Sequence, residues 1–260
     1  MYERQLMKPA VLIISGLDPS GDAGFIADVR TVSYLGCRPV GVVSAMTVHN
    51  SREFKRQSSI SYDLMRDQLR LLLDEVKPKA VKIGMLGRKE NINAVVDILK
   101  EYTLPNVVLD PVFRSSTGGW LIDERDLPVL RDRLIPEALV LTPNVVEAKT
   151  LMDIPIFDKE SAEKAVIELA KLGVPGIALK GGHMDGDPVD TFNFLGETVQ
   201  ITEKRLDGEF HGTGCLFSSA MAAFLALGEQ PVLSFRRAHR FLRWMMEQHR
   251  GSWAFPGRVK

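Results

Sequence analysis

Val11-Leu12-Ile13-Ile14, followed by Ser15-Gly16-Leu17-Asp18-Pro19-Ser20-Gly21-Asp22-Ala23-Gly24, is the stretch on which the fold turns. A short β-branched run gives way to a loop holding three glycines and two aspartates. The loop runs into residues 23–35, where apolar side chains recur at helical spacing and Asp28 is carried along. Strand, polar loop and helix in that order form the opening of a βαβ unit.

The same rhythm continues outward from this stretch. Strand candidates fall at residues 40–43, 80–83, 106–109, 138–141 and 176–179. Helix-periodic segments fall at 62–75, 91–102, 123–134, 144–152 and 161–172. Apolar strands alternating with amphipathic helices predict an α/β fold, with a mainly parallel sheet covered on both faces. Residues 189–194 and 197–202, around Leu195-Gly196, predict a hairpin and so an antiparallel edge.

The chain has 260 residues, 45% hydrophobic and 25% charged, which suits one core. No internal repeat or Pro/Gly/Ser-rich linker divides it, so a single domain over residues 1–260 is expected. Lys plus Arg and Asp plus Glu both number 33, which argues against nucleic acid or an anionic membrane as partner. The apolar run at 11–14 is far short of the roughly 20 residues that span a bilayer, and nothing before it resembles a signal peptide. A cytoplasmic protein is expected. Cys37 and Cys215 form no Cys-x-x-Cys pair, so neither a disulfide framework nor a structural zinc site is suggested.

Open parallel sheets bind ligands beyond the carboxyl ends of their strands, where the polar segments of this chain fall. His211-Gly212-Thr213-Gly214-Cys215 leads into a helix of small residues, an arrangement that leaves backbone N–H groups for an anion such as a transferring phosphoryl group. In its first turn Cys215 is a candidate base or nucleophile with a lowered thiol pKa; the competing reading is an inert cysteine at a glycine-rich helix start. Asp110, directly after a strand, can help hold hydrated magnesium or orient a hydroxyl, or simply form an Asp-Pro turn. Asn144 and Glu147 read as a capping box, and capping alone accounts for both. Lys180-Gly181-Gly182-His183 offers a cation and backbone space for nucleotide phosphates. Neither Gly-x-x-x-x-Gly-Lys-Ser/Thr nor an opening Gly-x-Gly-x-x-Gly occurs, so a phosphate site here uses another architecture.

These segments, with Lys82-Ile83-Gly84-Met85-Leu86, Leu109-Asp110-Pro111-Val112 and Thr142-Pro143-Asn144, resemble the hydroxymethylpyrimidine and phosphomethylpyrimidine kinases of thiamine biosynthesis, within the ribokinase-like superfamily. The resemblance runs from about Ala10 to about Leu227. It implies a three-layer α/β/α ribokinase-like fold, ATP with Mg2+ as phosphate donor, a small hydroxymethyl heteroaromatic substrate and a homodimer. By the family pattern Gly16, Asp28, Met85 and Val112 line the ring pocket, with Asp28 accepting hydrogen bonds from the ring. Asp110 and Glu147 serve the metal, and Asn144, Glu147, Lys180 and Gly182 the nucleotide. Gly212, Thr213 and Gly214 stabilise the transferring group, and Cys215 stands where most ribokinase-like enzymes carry a catalytic aspartate.

The chain departs from the pattern at His49, where the family usually presents glutamine to the pyrimidine, and at Asp22, where it usually has glycine. An imidazole cannot reproduce the pairing of an amide, so a pyridoxal or pyridoxine kinase is the nearest alternative. A non-catalytic pyrimidine-binding regulator is the alternative of another class. The tail at residues 251–260 lacks the family's usual glycine- and histidine-bearing ending. The Arg236, Arg237, His239, Arg240 and Arg243 cluster reads as the solvated face of a final helix.

Overall fold

The computed structural model describes residues 8–49, 53–115, 118–208 and 210–248. The tail at 251–260 lies outside them. The strands are β1 (Ala10–Leu17), β2 (Arg38–His49), β3 (Phe54–Ser59), β4 (Ala80–Ile83), β5 (Val107–Leu109), β6 (Val140–Leu141), β7 (Gly176–Leu179), β8 (Val189–Phe194) and β9 (Glu197–Thr202). The main helices are α1 (Gly24–Tyr34), α2 (Tyr62–Glu75), α3 (Lys89–Tyr102), α4 (Val145–Met152), α5 (Lys159–Ala170), α6 (Thr213–Ala226) and α7 (Pro231–Gln248).

The strands form a nine-stranded sheet in the order β3-β2-β1-β4-β5-β6-β7-β8-β9. From β2 to β7 neighbouring strands run parallel; β3, β8 and β9 each pair antiparallel with their neighbour. The hairpin predicted around Leu195-Gly196 is β8-β9, with positive φ at both turn residues (51° and 92°). Asparagine and glycine are the usual residues for such a turn; here leucine accepts the strain and stays exposed.

Alternation along β1 divides the core in two. Leu12 and Ile14 face the side of α2, α3, α4 and α5, in one apolar cluster with Leu69, Val95, Leu151 and Val166. Val11 and Ile13 face the side of α1, α6 and α7, in one apolar cluster with Ala27, Met221 and Phe235. The result is the three-layer α/β/α arrangement. Helix α6 is buried from Leu216 to Ala226 because it lies between the sheet, α1 and α7, which explains its small, uniformly apolar sequence.

Two elements differ from the sequence expectation. The helix over 123–134 is instead a 3-10 turn (Glu124–Asp126), one α turn (Leu127–Val129) and a π turn (Leu130–Leu134). Pro128 lacks an N–H and so restarts the helix, while the wider π turn buries both Leu130 and Leu134. Strand β3 was not foreseen: Phe54–Ser59 is an edge strand exposing Lys55, Arg56 and Ser58, and it carries no apolar alternation.

Candidate active site

Strand β1 has β2 on one side and β4 on the other, so the connections leaving the sheet diverge at this point and open a crevice beyond the strand ends. A cavity of about 370 Å³ occupies it. Gly16, His49, Met85 and Val112 lie on its wall, at or just beyond the ends of β1, β2, β4 and β5. A Cβ on Gly16 would come within 2.6 Å of Met85 Sδ, so the thioether packs directly on the glycine and the two form one apolar stretch of wall.

The opposite side of the cavity is charged. Lys180, after β7, places Nζ 2.8 Å from Asp110 Oδ1, and Thr142 and Ser218 hydroxyls donate to the same carboxylate. Burial pulls the lysine pKa down, yet the charges of Asp110 and Glu147 outweigh it and hold the ammonium above its usual range. The capping box read from the sequence forms: Glu147 N–H donates to Asn144 Oδ1 at 2.8 Å and Asn144 N–H to Glu147 Oε2 at 2.7 Å. Capping is not the whole of it, since both residues also line the cavity. Burial pushes the Glu147 carboxyl up to about 7; Asp110 adds to the rise and Lys180 opposes it.

Helix α6 begins at Gly212 with φ 74° and no side-chain cap. Gly212, Thr213 and Gly214 line the cavity, so the uncapped N-terminal amides and the positive end of the helix dipole face it. A Cβ on Gly214 would stand 3.0 Å from Lys180 Nζ. Cys215 also reaches the wall, but burial pushes its thiol up to about 12 despite the nearby Lys82 ammonium. The lowered thiol pKa expected from its first-turn position is therefore reversed: removal from water outweighs the helix dipole.

Asp28 is not on the wall. Its carboxylate is closed off beneath the cavity, with Lys82 Nζ 2.7 Å from Oδ2 and Ser219 Oγ 2.7 Å from Oδ1, and both charged residues are fully buried. Asp28 holds Lys82 charged, outweighing the burial that would otherwise strip its proton. The ring contact expected of Asp28 is thus replaced by an internal ion pair. Gly182 is also off the wall, exposed, with its carbonyl accepting from Arg205 Nη1 at 3.0 Å; His183 lines the cavity instead. Asp22 does not line it either.

Sequence reasoning gave no role to Asp18, His211 or Lys82. Lys82 had a legible signal, a lone charge between Val81 and Ile83 in a strand that must be buried. Asp18 and His211 meet only through the fold, 193 positions apart.

A family profile described as Phosphomethylpyrimidine kinase matches residues 18–255. The chain is 34% identical over 235 residues to the hydroxymethylpyrimidine/phosphomethylpyrimidine kinase of Streptomyces coelicolor, covering 90% of this chain and 87% of that one. It is 37% identical over 236 residues to the thiamine biosynthesis bifunctional protein ThiED of Geobacter sulfurreducens, where the match takes 90% of this chain but spans only 48% of that longer protein. Among solved structures, the phosphomethylpyrimidine kinase of Clostridium difficile 630 superposes with a TM-score of 0.81 at 30% identity, covering 91% of this chain and 99% of that one. An ADP complex of Bacillus subtilis pyridoxal kinase superposes with 0.85 at 26%, covering 96% and 93%. With its ribokinase-like layers and a matching profile over nearly its whole length, the chain belongs to the phosphomethylpyrimidine kinase family.

Proposed function

We propose that this protein transfers the terminal phosphoryl group of ATP to the hydroxymethyl group of 4-amino-5-hydroxymethyl-2-methylpyrimidine, to its monophosphate, or to both in turn, in thiamine biosynthesis. The observation that carries this reading is the continuity of one cavity. It runs from the apolar slot of Gly16, Met85 and Val112 to Asp110, Lys180 and the uncapped start of α6. A flat ring in the slot puts a hydroxymethyl arm beside the helix N-terminus.

The donor set fits Mg2+ and nucleotide phosphates: Asp110 and Glu147 supply hard carboxylate oxygens, and Lys180 and the α6 amides supply positive charge. Magnesium bound there would neutralise charge on the phosphates. Lys180 and Asn144 orient the nucleotide, and the amides of Gly212, Thr213 and Gly214 hold the equatorial oxygens in flight. With its thiol protonated at rest, Cys215 orients the substrate hydroxyl, and the rate enhancement comes mainly from positioning and electrostatics. We further propose that one kinase domain spans the chain and works as a cytoplasmic homodimer. Exposed Met46 and Val48 on β2 support a self-contact.

A pyridoxal or pyridoxine kinase is the second reading, favoured by His49 on the cavity wall and by the likeness to pyridoxal kinases. ADP release with Mg-ATP, compared across hydroxymethylpyrimidine, its monophosphate, pyridoxal and pyridoxine with product masses checked, separates the two. Turnover with a pyrimidine is expected. Turnover with pyridoxal alone replaces the first reading by the second, and ligand binding without ADP would make the protein a regulator.

A further inference from the structure

Asp18, His49 and His211 cluster on the cavity wall. Asp18 follows β1, His49 ends β2 and His211 precedes α6. His49 Nε2 lies 3.4 Å from Asp18 Oδ1, and His211 Nε2 lies 3.3 Å from Asp18 Oδ2. One ligand atom from each lies within 4.8 Å of the others. Asp18 is 4% exposed and is fixed by N–H donors from Ser20 and Ala23.

Hydrogen-bond polarity decides which ring nitrogen of His49 carries a proton. Thr47 Oγ1 lies 2.9 Å from the Leu17 carbonyl, which can only accept, so the single hydroxyl proton goes there. The same oxygen is 2.9 Å from His49 Nδ1 and therefore accepts a proton from it. A neutral His49 then aims the Nε2 lone pair at the Asp18 carboxylate, a repulsive contact unless a cation lies between them.

The cation can be a proton or a metal ion, and the distances bear on which. A protonated imidazole closes on a carboxylate to about 2.7–2.9 Å. In this same protein His239 Nδ1 lies 2.8 Å from Asp190 Oδ2. Both approaches to Asp18 are longer, at 3.4 Å from His49 and 3.3 Å from His211. Ligand atoms bonded to zinc at about 2.0–2.1 Å in a tetrahedron stand about 3.3 Å apart; each imidazole nitrogen lies near that distance from one Asp18 oxygen, and the three ligand atoms fall within 4.8 Å of one another.

We propose that Asp18, His49 and His211 bind a divalent transition-metal ion of the zinc class, with its fourth position open to the cavity. Two imidazoles and one carboxylate suit Zn2+ or Co2+ rather than Mg2+, so the site is chemically distinct from the Asp110 and Glu147 carboxylates. The bond from His49 Nδ1 to Thr47 is the outer contact that fixes the tautomer and orientation of a ligating imidazole. The open position takes water or a heteroatom of a ring bound in the cavity; that last consequence rests on the kinase reading, the metal binding does not.

Chelator-treated protein titrated with Zn2+ in a calorimeter, and with Co2+ in a visible spectrometer, tests this without substrate or nucleotide. Its outcome is thus separate from that of the turnover assay. One ion per chain and intense tetrahedral cobalt bands are expected, with affinity falling in His49→Gln by at least the roughly 10–100-fold that loss of an outer contact alone costs. Absence of one-to-one binding, unchanged affinity in His49→Gln, or a thiolate charge-transfer band implicating Cys215 would overturn the proposal. Should the variant not fold, zinc-edge X-ray absorption on the wild-type protein decides: two imidazoles and oxygen support the site, and sulfur or oxygen alone removes it.

Discussion

At the scale of single residues, the site rests on charges that water does not reach. Lys82 and Asp28 are both fully buried and bonded at 2.7 Å, so removing one leaves the other uncompensated. Lys82→Met is expected to cost about 3–5 kcal/mol in urea unfolding, and adding Asp28→Leu should recover much of it. A loss confined to about 1 kcal/mol, ordinary for a point substitution, would show that the pair is not held dry. Glu147 makes a pH-dependent contribution of definite sign. Its carboxyl is raised from 4.5 to about 7 in the folded protein, so the fold binds this proton over a window where the unfolded chain has lost it. Stability from this group is complete below 4.5 and is lost as pH rises to about 7. Glu147→Gln should flatten that slope in melts taken across the same window; an unaltered slope would assign the titration elsewhere.

At the scale of elements, the start of α6 carries the heaviest demand, because its backbone must both turn sharply and leave its amides uncapped. Gly212 sits at φ 74°, where an L side chain costs about 1–2 kcal/mol. Gly212→Ala should lower Tm by roughly 2–8 °C and, by shifting the amides, lower kcat on the order of 100-fold. Retained kcat in a folded variant would take the helix N-terminus out of phosphoryl transfer. This element was legible in the sequence since glycine spacing reports backbone need directly. The parallel strands were legible as well, because a strand buried on both faces leaves an unbroken apolar run such as Val11 to Ile14. Strand β3 was not, since an edge strand made mostly of polar and charged residues need carry no apolar pattern. For the aspartates the limit was different: Asp18, Asp22 and Asp28 look alike in a glycine-rich loop and its helix. Only the fold decides that Asp18 reaches the cavity and Asp28 meets Lys82.

At the scale of the whole molecule, the cavity wall is assembled from the ends of β1, β2, β4, β5, β6 and β7, so a ligand there touches most of the parallel sheet at once. Asp110 and Lys180 follow strands separated by β6 and are joined across its end by a 2.8 Å contact, which makes the charged side of the site a property of the assembled sheet. Binding should therefore stabilise the protein globally. A non-hydrolysable ATP analogue with Mg2+ at a hundred times its Kd contributes about 2.7 kcal/mol. For a chain of this size that is a rise in Tm of roughly 5–11 °C, as one sharper transition. The ring substrate should add a separate rise, because Gly16 and Met85 lie on the opposite side of the cavity from Lys180. Asp110→Asn should abolish most of the first rise and leave the second. If the analogue instead shifts only part of the melt, the β1–β2 side and the β5–β7 side unfold apart. A site spanning both would then be formed by the ligand, and the preorganisation on which the proposed transfer depends would be lost.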